Sequence, residues 1–321
     1  FTGRADRLRI SLRYLLRSRR EHGGVVDEVE FAVVNPNPRA EVLAILRGVQ
    51  QKYPRTVIED YTPEKWTRGN RMQDAYAGPR RKRYREGKPV VYVKVDDDVV
   101  YMDPRAVGYL VREKLRDRCM FVSANVVNHA ILSSLHQERG ALRGFEPTAP
   151  APAPWTRTTA VSQFPVERYP MSTCVLRRWD CAAVAHESFL SRERDGTLCA
   201  FDFGWHNFHG AGFEEHSYGH LSPWAQATWD SVGARWSINF FAYTVDDMEG
   251  VDWSRVYGPG DDEEEITSPF PRRVGRPACA VGASLAVHFS YNSQDYLLTR
   301  KTRLLERFAA LADRLVPGIL V

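Results

Sequence analysis

The 321-residue chain has no cysteine pair at CxxC spacing, its five cysteines, Cys119, Cys174, Cys181, Cys199 and Cys279, being scattered. That argues against a zinc site and a disulfide framework and points to buried thiols with at most one bridge. No apolar run approaches the roughly 20 residues that span a bilayer. The absence of an N-x-S/T sequon favours a cytosolic setting or an unglycosylated lumenal one. There is no internal repeat. Charge of one sign is also scarce, since 44 Lys and Arg against 40 Asp and Glu leave a net charge of +4. The basic excess gathers along the first helix and at Arg80, Arg81, Lys82, Arg83 and Arg85. A nucleic-acid protein would carry a broader basic face with stacking aromatics. The 80–85 run suits a small anionic ligand or a solvated charged loop equally well.

Hydrophobic residues make up 43% of the chain and aromatics 12%, enough to build a sizeable core and against global disorder. Leu8, Leu12, Leu15 and Leu16 recur at helical spacing between arginines, predicting an amphipathic helix over Asp6–Arg20. A strand is expected at Val29–Val34, ended by Asn35-Pro36-Asn37-Pro38, then a helix over Arg39–Lys52, a strand at Thr56–Ile58 and a helix over Asn70–Ala77. The run Val90–Val95 is apolar on both faces, as in a central parallel strand. This alternation describes an α/β fold with an open mixed sheet flanked by helices. Further on, a helix over Arg105–Leu115, a strand at Cys119–Val122, a long loop at Thr148–Pro165, a strand at Met171–Leu176, a helix near Cys181–Leu190 and one helix over Gln294–Leu315 are expected. A single domain over 1–321 is expected, its two halves meeting at residues 103 and 104. The sequence opens at Phe1, directly before what reads as a motif, so any membrane anchor is expected upstream.

The segment VYVKVDDDVVYMD, residues 91–103, sets Asp96, Asp97 and Asp98 at the C-terminal end of a strand. Ligands of open α/β sheets bind at that edge. Three adjacent carboxylates repel one another in a dry site unless a cation neutralises them, so a divalent metal is the simplest explanation. Oxygen ligands select hard ions such as Mg2+ or Mn2+, which leave positions open for substrate phosphates.

Lys94 to Tyr101 resembles the DxD motif of GT-A glycosyltransferases, and its DDDV form is similar to that of the β-1,3-galactosyltransferase-like group, glycosyltransferase family 31. The rest of the chain resembles uncharacterised fungal and microbial members more than animal ones, which fixes class and not substrate. The resemblance implies a Rossmann-like nucleotide-sugar fold, with Asp98 as direct metal ligand and Asp96 and Asp97 holding the donor ribose and metal waters. It also implies that Thr2, Gly3 and Arg4 end the first strand against the nucleotide, Gly3 permitting close backbone approach. Asp60 would accept from the base, and Arg71 would reach the diphosphate. A C-terminal histidine completes many such metal sites. His288, in Val287-His288-Phe289-Ser290, is the candidate, although a lone histidine among apolar residues also suits a core position.

An inverting transfer needs a carboxylate to deprotonate the acceptor hydroxyl. The resemblance implies an acidic pair opening a helix shortly before the metal histidine. Asp261-Asp262, in the run to Glu265, fits that order, with Asp262 favoured; Asp246 and Asp247 are close competitors. Trp205, His206, His209, Glu214, Glu215, His216 and His220 form a stretch suited to an acceptor pocket. Its histidines lack the HExxH spacing of a zinc helix.

The function expected is metal-dependent transfer of a sugar from a nucleotide-sugar, UDP-linked in preference to GDP-linked, to a carbohydrate or glycoprotein acceptor. Nucleic acid is not expected as a partner. The Golgi or secretory lumen, with an upstream anchor, is favoured over the cytoplasm. A metal-dependent phosphohydrolase and an inactive nucleotide- or carbohydrate-binding module are the alternatives.

Overall fold

The computed structural model describes residues 4–34, 39–61, 68–78, 81–142, 175, 178–208, 236–256 and 261–319. The expected loop at Thr148–Pro165 and most of the 171–176 strand lie outside them, as do Thr2, Gly3, Cys174, His209, Glu214, Glu215, His216 and His220.

Helix α1 (Ala5–Arg17) buries Leu8, Leu12 and Leu16 and carries its arginines mainly on the other face. Strand β1 (Val29–Val33), helix α2 (Ala40–Lys52), strand β2 (Thr56–Asp60) and helix α3 (Arg68–Ala77) follow. A short hairpin, β3 (Tyr84–Arg85) and β4 (Lys88–Pro89), leads to β5 (Tyr92–Val95), β6 (Val99–Met102), α4 (Ala106–Lys114), β7 (Phe121–Val127) and α5 (Ala130–Glu138). Then come α6 (Trp179–Arg194), β8 (Trp205–Asn207), β9 (Phe240–Tyr243), α7 (Asp261–Thr267), α8 (Pro269–Val274), β10 (Ala278–His288), α9 (Asn292–Lys301) and α10 (Leu304–Leu315).

The fold is mixed α/β. Strands β1 and β2 pair in parallel as a two-stranded sheet, Val33 opposite Asp60. The main sheet runs β5-β9-β7-β10-β6, with β8 also on β10. Its centre is β7, whose residues are all buried, in parallel with β10 and antiparallel to β9.

Residues 90–95 therefore do not form a central parallel strand. β5 ends the pairing order, is only half-buried, and has an antiparallel partner, β9. Its apolar side chains are covered by aromatics, Tyr92 stacking on Tyr243 at 5.6 Å, and not by helices on both faces. Nor is the early alternation of helices and strands one sheet, since β1 and β2 pair apart from β5. The C-terminal helix is two, because Thr302 is extended (φ −131°, ψ 163°) and its Oγ1 donates to Leu298 O at 2.6 Å while accepting from Leu304 N at 3.3 Å. One bridge, Cys119–Cys279, joins the starts of β7 and β10, and Cys181 is disulfide-bonded as well. Cys199 is a free thiol.

The terminal strands β5 and β6 are joined only by Asp96–Asp98. A flat sheet would hold them about 19 Å apart, whereas the chain from Val95 to Val99 reaches about 14 Å at most. The sheet must curl. A break of register in β10 between Val281 and Leu285 bends that strand. Gly282 allows the bend, since a Cβ there would lie 2.3–2.7 Å from Asp202 Oδ1, Phe203 N and Gly204 N.

Candidate metal centre

The curl gathers the C-terminal ends of β5, β7 and β10 with the start of β9. The Asp turn is pinned on both sides: Asp96 N donates to Asn239 O at 2.8 Å, and Phe289 N donates to Asp98 O at 2.9 Å. The fully buried β6 anchors its far end.

Asp98 is 2% exposed and His288 3%, with His288 Nε2 at 3.2 Å from Asp98 Oδ1. Arg4 pairs with the other oxygen of Asp98. Burial alone would raise the Asp98 carboxyl pKa, but the charge and hydrogen bond of His288, then Arg4 and Arg7, hold it below the usual carboxylate range. Burial likewise works against protonated His288, and Asp98 overcomes it to raise the imidazole pKa. Asp96 is held by Lys94, whose Nζ also donates to Ile238 O at 2.6 Å, and by Asn239 Nδ2 at 3.1 Å. Ligand atoms of Asp96, Asp98 and His288 lie within 4.8 Å of one another.

This donor set suits a divalent cation. Lys94 and Arg4 balance the two carboxylates here, so an incoming cation would take over charge that these side chains now neutralise, while Asn239 orients Asp96. His288 Nδ1 is buried without a partner, and its ring rests against Tyr291 at 4.9 Å. An imidazole among the ligands suits a transition-metal ion better than Mg2+, which prefers oxygen alone.

The acidic candidates separate by topology. α7 opens on Asp261-Asp262; Asp262 is buried, and the neighbouring Glu263 Oε2 accepts from Ile238 N at 3.3 Å, tying this helix to the segment that carries Asn239. The phenol of Tyr76 has its pKa pushed well up, first by burial and then by the charges of Asp262, Tyr243, Asp96 and Glu263.

Asp246 and Asp247 sit beyond the other end of β9, where Tyr243 lies opposite Tyr92 at the start of β5. Asp247 is locked in a buried pair with Lys114 at 2.7 Å and accepts from Thr244 N and Oγ1. Asp246 pairs with Arg83 on the surface. Neither competitor reaches the Asp turn. Trp205 and His206 lie in β8, which pairs with Cys279–Val281 near the start of β10, whereas His288 ends that strand.

Asp60 and Arg71 stand at the C-terminal end of the β1–β2 pair, Arg71 Nη1 donating to Val34 O at 3.4 Å. Arg4 precedes α1 and touches Asp98 directly. Lys94, Asn239 and Asn128 went unnoticed in the sequence. The alternation of a strand places Lys94 and Asp96 on one face and would have found the first; nothing local marks the other two. Comparison with protein-family models, curated proteins and solved structures finds no match for the chain.

Proposed function

We propose that the chain is a glycosyltransferase of the GT-A type that uses Mn2+, or less well Mg2+, and a UDP-sugar to glycosylate a carbohydrate or glycoprotein acceptor. The observation that carries this reading is the convergence of Asp96, Asp98 and His288 at the C-terminal ends of the strands, beside a helix that opens on Asp262. A bound divalent cation would neutralise charge developing on the leaving diphosphate. Asp98 and His288 would hold that cation together with Asp96, which Lys94 and Asn239 orient. Asp262 takes the proton of the acceptor hydroxyl as general base, giving inversion. Asp60 and Arg71 face the nucleotide.

The disulfides support a secretory lumen, because such bridges persist in oxidising compartments. Among the described residues no helix is long and apolar enough to cross a membrane.

Titrating Mn2+ by calorimetry, then assaying UDP-sugar turnover with and without an acceptor panel, tests the reading. Asp98→Ala is expected to weaken Mn2+ binding by about 100-fold or more while the fold is retained. Asp262→Asn is expected to keep Mn2+ and donor binding and lose transfer by roughly 100-fold or more. Unchanged Mn2+ affinity in the first variant sinks the metal assignment, and full transfer in the second sinks the base. Donor hydrolysis that never requires an acceptor would make the protein a phosphohydrolase instead.

A further inference from the structure

Residues 236–239, just before β9, are buried yet belong to no helix or strand. Backbone groups in such a place need partners, and here each partner comes from a different element. Ser237 N donates to Nε2 of His129, the N-cap of α5, at 3.1 Å. Ile238 N donates to Glu263 Oε2 on α7 at 3.3 Å, and Ile238 O accepts from Lys94 Nζ of β5 at 2.6 Å. Asn239 O accepts from Asp96 N at 2.8 Å, while Asn239 Nδ2 donates to Asp96 Oδ2 at 3.1 Å. Trp236, stacked on Phe208 at 5.0 Å, fixes the entry to the stretch. Asp96, Lys94 and the helix that opens on Asp262 are thus all referred to three consecutive residues.

His288 belongs to another part of the sheet. It ends β10, and β7 stands between β10 and β9, so strand pairing does not tie the imidazole directly to residues 237–239. Tyr291 makes the crossing. Its ring lies against His288 at 4.9 Å and 61°, and its hydroxyl shares a hydrogen bond of 2.7 Å with Ser237 Oγ. Tyr291 is itself held at the N-cap of α9, its N donating at 3.0 Å to Gln294 Oε1, which also accepts from Asn128 Nδ2 at 3.1 Å.

We propose that Tyr291 is a positioning residue of the metal centre, its hydroxyl keying His288 to residues 237–239 so that the imidazole, Asp96 and α7 hold one geometry. The inference deepens the metal reading and rests on it. Outer partners of this kind set the orientation of metal ligands, and their loss weakens metal affinity by about 10–100-fold. A phenylalanine at 291 would keep a ring against His288 and lose only the link to Ser237.

Mn2+ titrated by calorimetry into wild type, Tyr291→Phe, Ser237→Ala and the double variant tests the link. Each single variant is expected to bind about tenfold more weakly, and the double variant no worse than either, because both changes remove the same bond. The double variant is also expected to melt no lower than the single ones, since neither hydroxyl is left without the other. Its weaker binding then reports position and not stability. Wild-type affinity in Tyr291→Phe, or a double variant that loses the product of the two single losses, overturns the proposal. Hydrogen exchange in EDTA separates the link from the metal reading, with faster exchange at 237–239 expected in Tyr291→Phe and unchanged exchange counting against the proposal. If wild type ignores Mn2+ while that exchange still rises, the proposed function fails and the link between His288 and 237–239 stands.

Discussion

The two ends of β7 and β10 are built on opposite terms. At their starts the Cys119–Cys279 bridge ties the strands, and Lys114 Nζ donates to Cys119 O at 3.0 Å and Met120 O at 2.8 Å while pairing with Asp247. Asp247 is satisfied from every side, by Lys114, Thr244 and Arg276. At the other end Asp98 and His288 are just as buried, yet His288 Nδ1, Asn239 Oδ1 and Asn128 Oδ1 have no partner. An unsatisfied buried polar group costs about 1–3 kcal/mol. One end is closed by its own chain, and the other keeps hydrogen-bonding capacity that a ligand can use. Burial and charge alone do not tell Asp247 from Asp98; the completeness of the surroundings does.

The largest expected effect tests whether the closed end is a staple. The bridge spans 160 residues, and constraining the unfolded chain over such a loop contributes roughly 5 kcal/mol at most. Cys119→Ala/Cys279→Ala is expected to lower stability by several kcal/mol in urea denaturation while leaving Mn2+ affinity within about twofold under conditions where the variant is folded. A variant as stable as wild type would remove the staple from the comparison. A collapse of Mn2+ binding in the folded variant would show that the two ends are coupled.

What the sequence made legible follows from locality. Asp96–Asp98 stood out because the signal is contiguous, an apolar strand followed by three carboxylates. The strand expected at Thr56–Ile58, which runs on to Asp60, and the amphipathic α1 were legible for the same reason. His288 was reachable only through an expected order of motifs. The contact of Arg4 with Asp98 spans 94 positions and has no local mark. Asp247 and Asp262 both read as acidic clusters; the direction of β9 carries Asp247 away from the Asp turn, and no periodicity encodes that. Trp205 and His206 read only as part of a histidine-rich stretch, and their pairing with the start of β10 is long-range and carries no local mark. Residues 90–95 misled because aromatic cover from Tyr243 permits an apolar strand at the end of a sheet as readily as helices permit one at its centre.

A smaller effect sharpens the comparison at the open end. Asn128 follows β7 with φ 64°, a left-handed backbone that Asn tolerates better than most residues. Its Nδ2 donates to Phe289 O at 3.0 Å and Gln294 Oε1 at 3.1 Å and lies 3.3 Å from His288 O, bracing the turn that carries His288. Asn128→Gly keeps the positive φ without steric cost and removes only the amide. It is therefore expected to weaken Mn2+ binding about tenfold by calorimetry with a loss of about 1–2 kcal/mol in stability. Asn128→Ala adds backbone strain and is expected to lose more stability for the same loss of affinity, so the difference between the two variants isolates the conformational cost from the brace. If Asn128→Gly binds Mn2+ as wild type does, His288 is positioned by β10 alone, and the open end is as rigid as the closed one by strand pairing rather than by side chains.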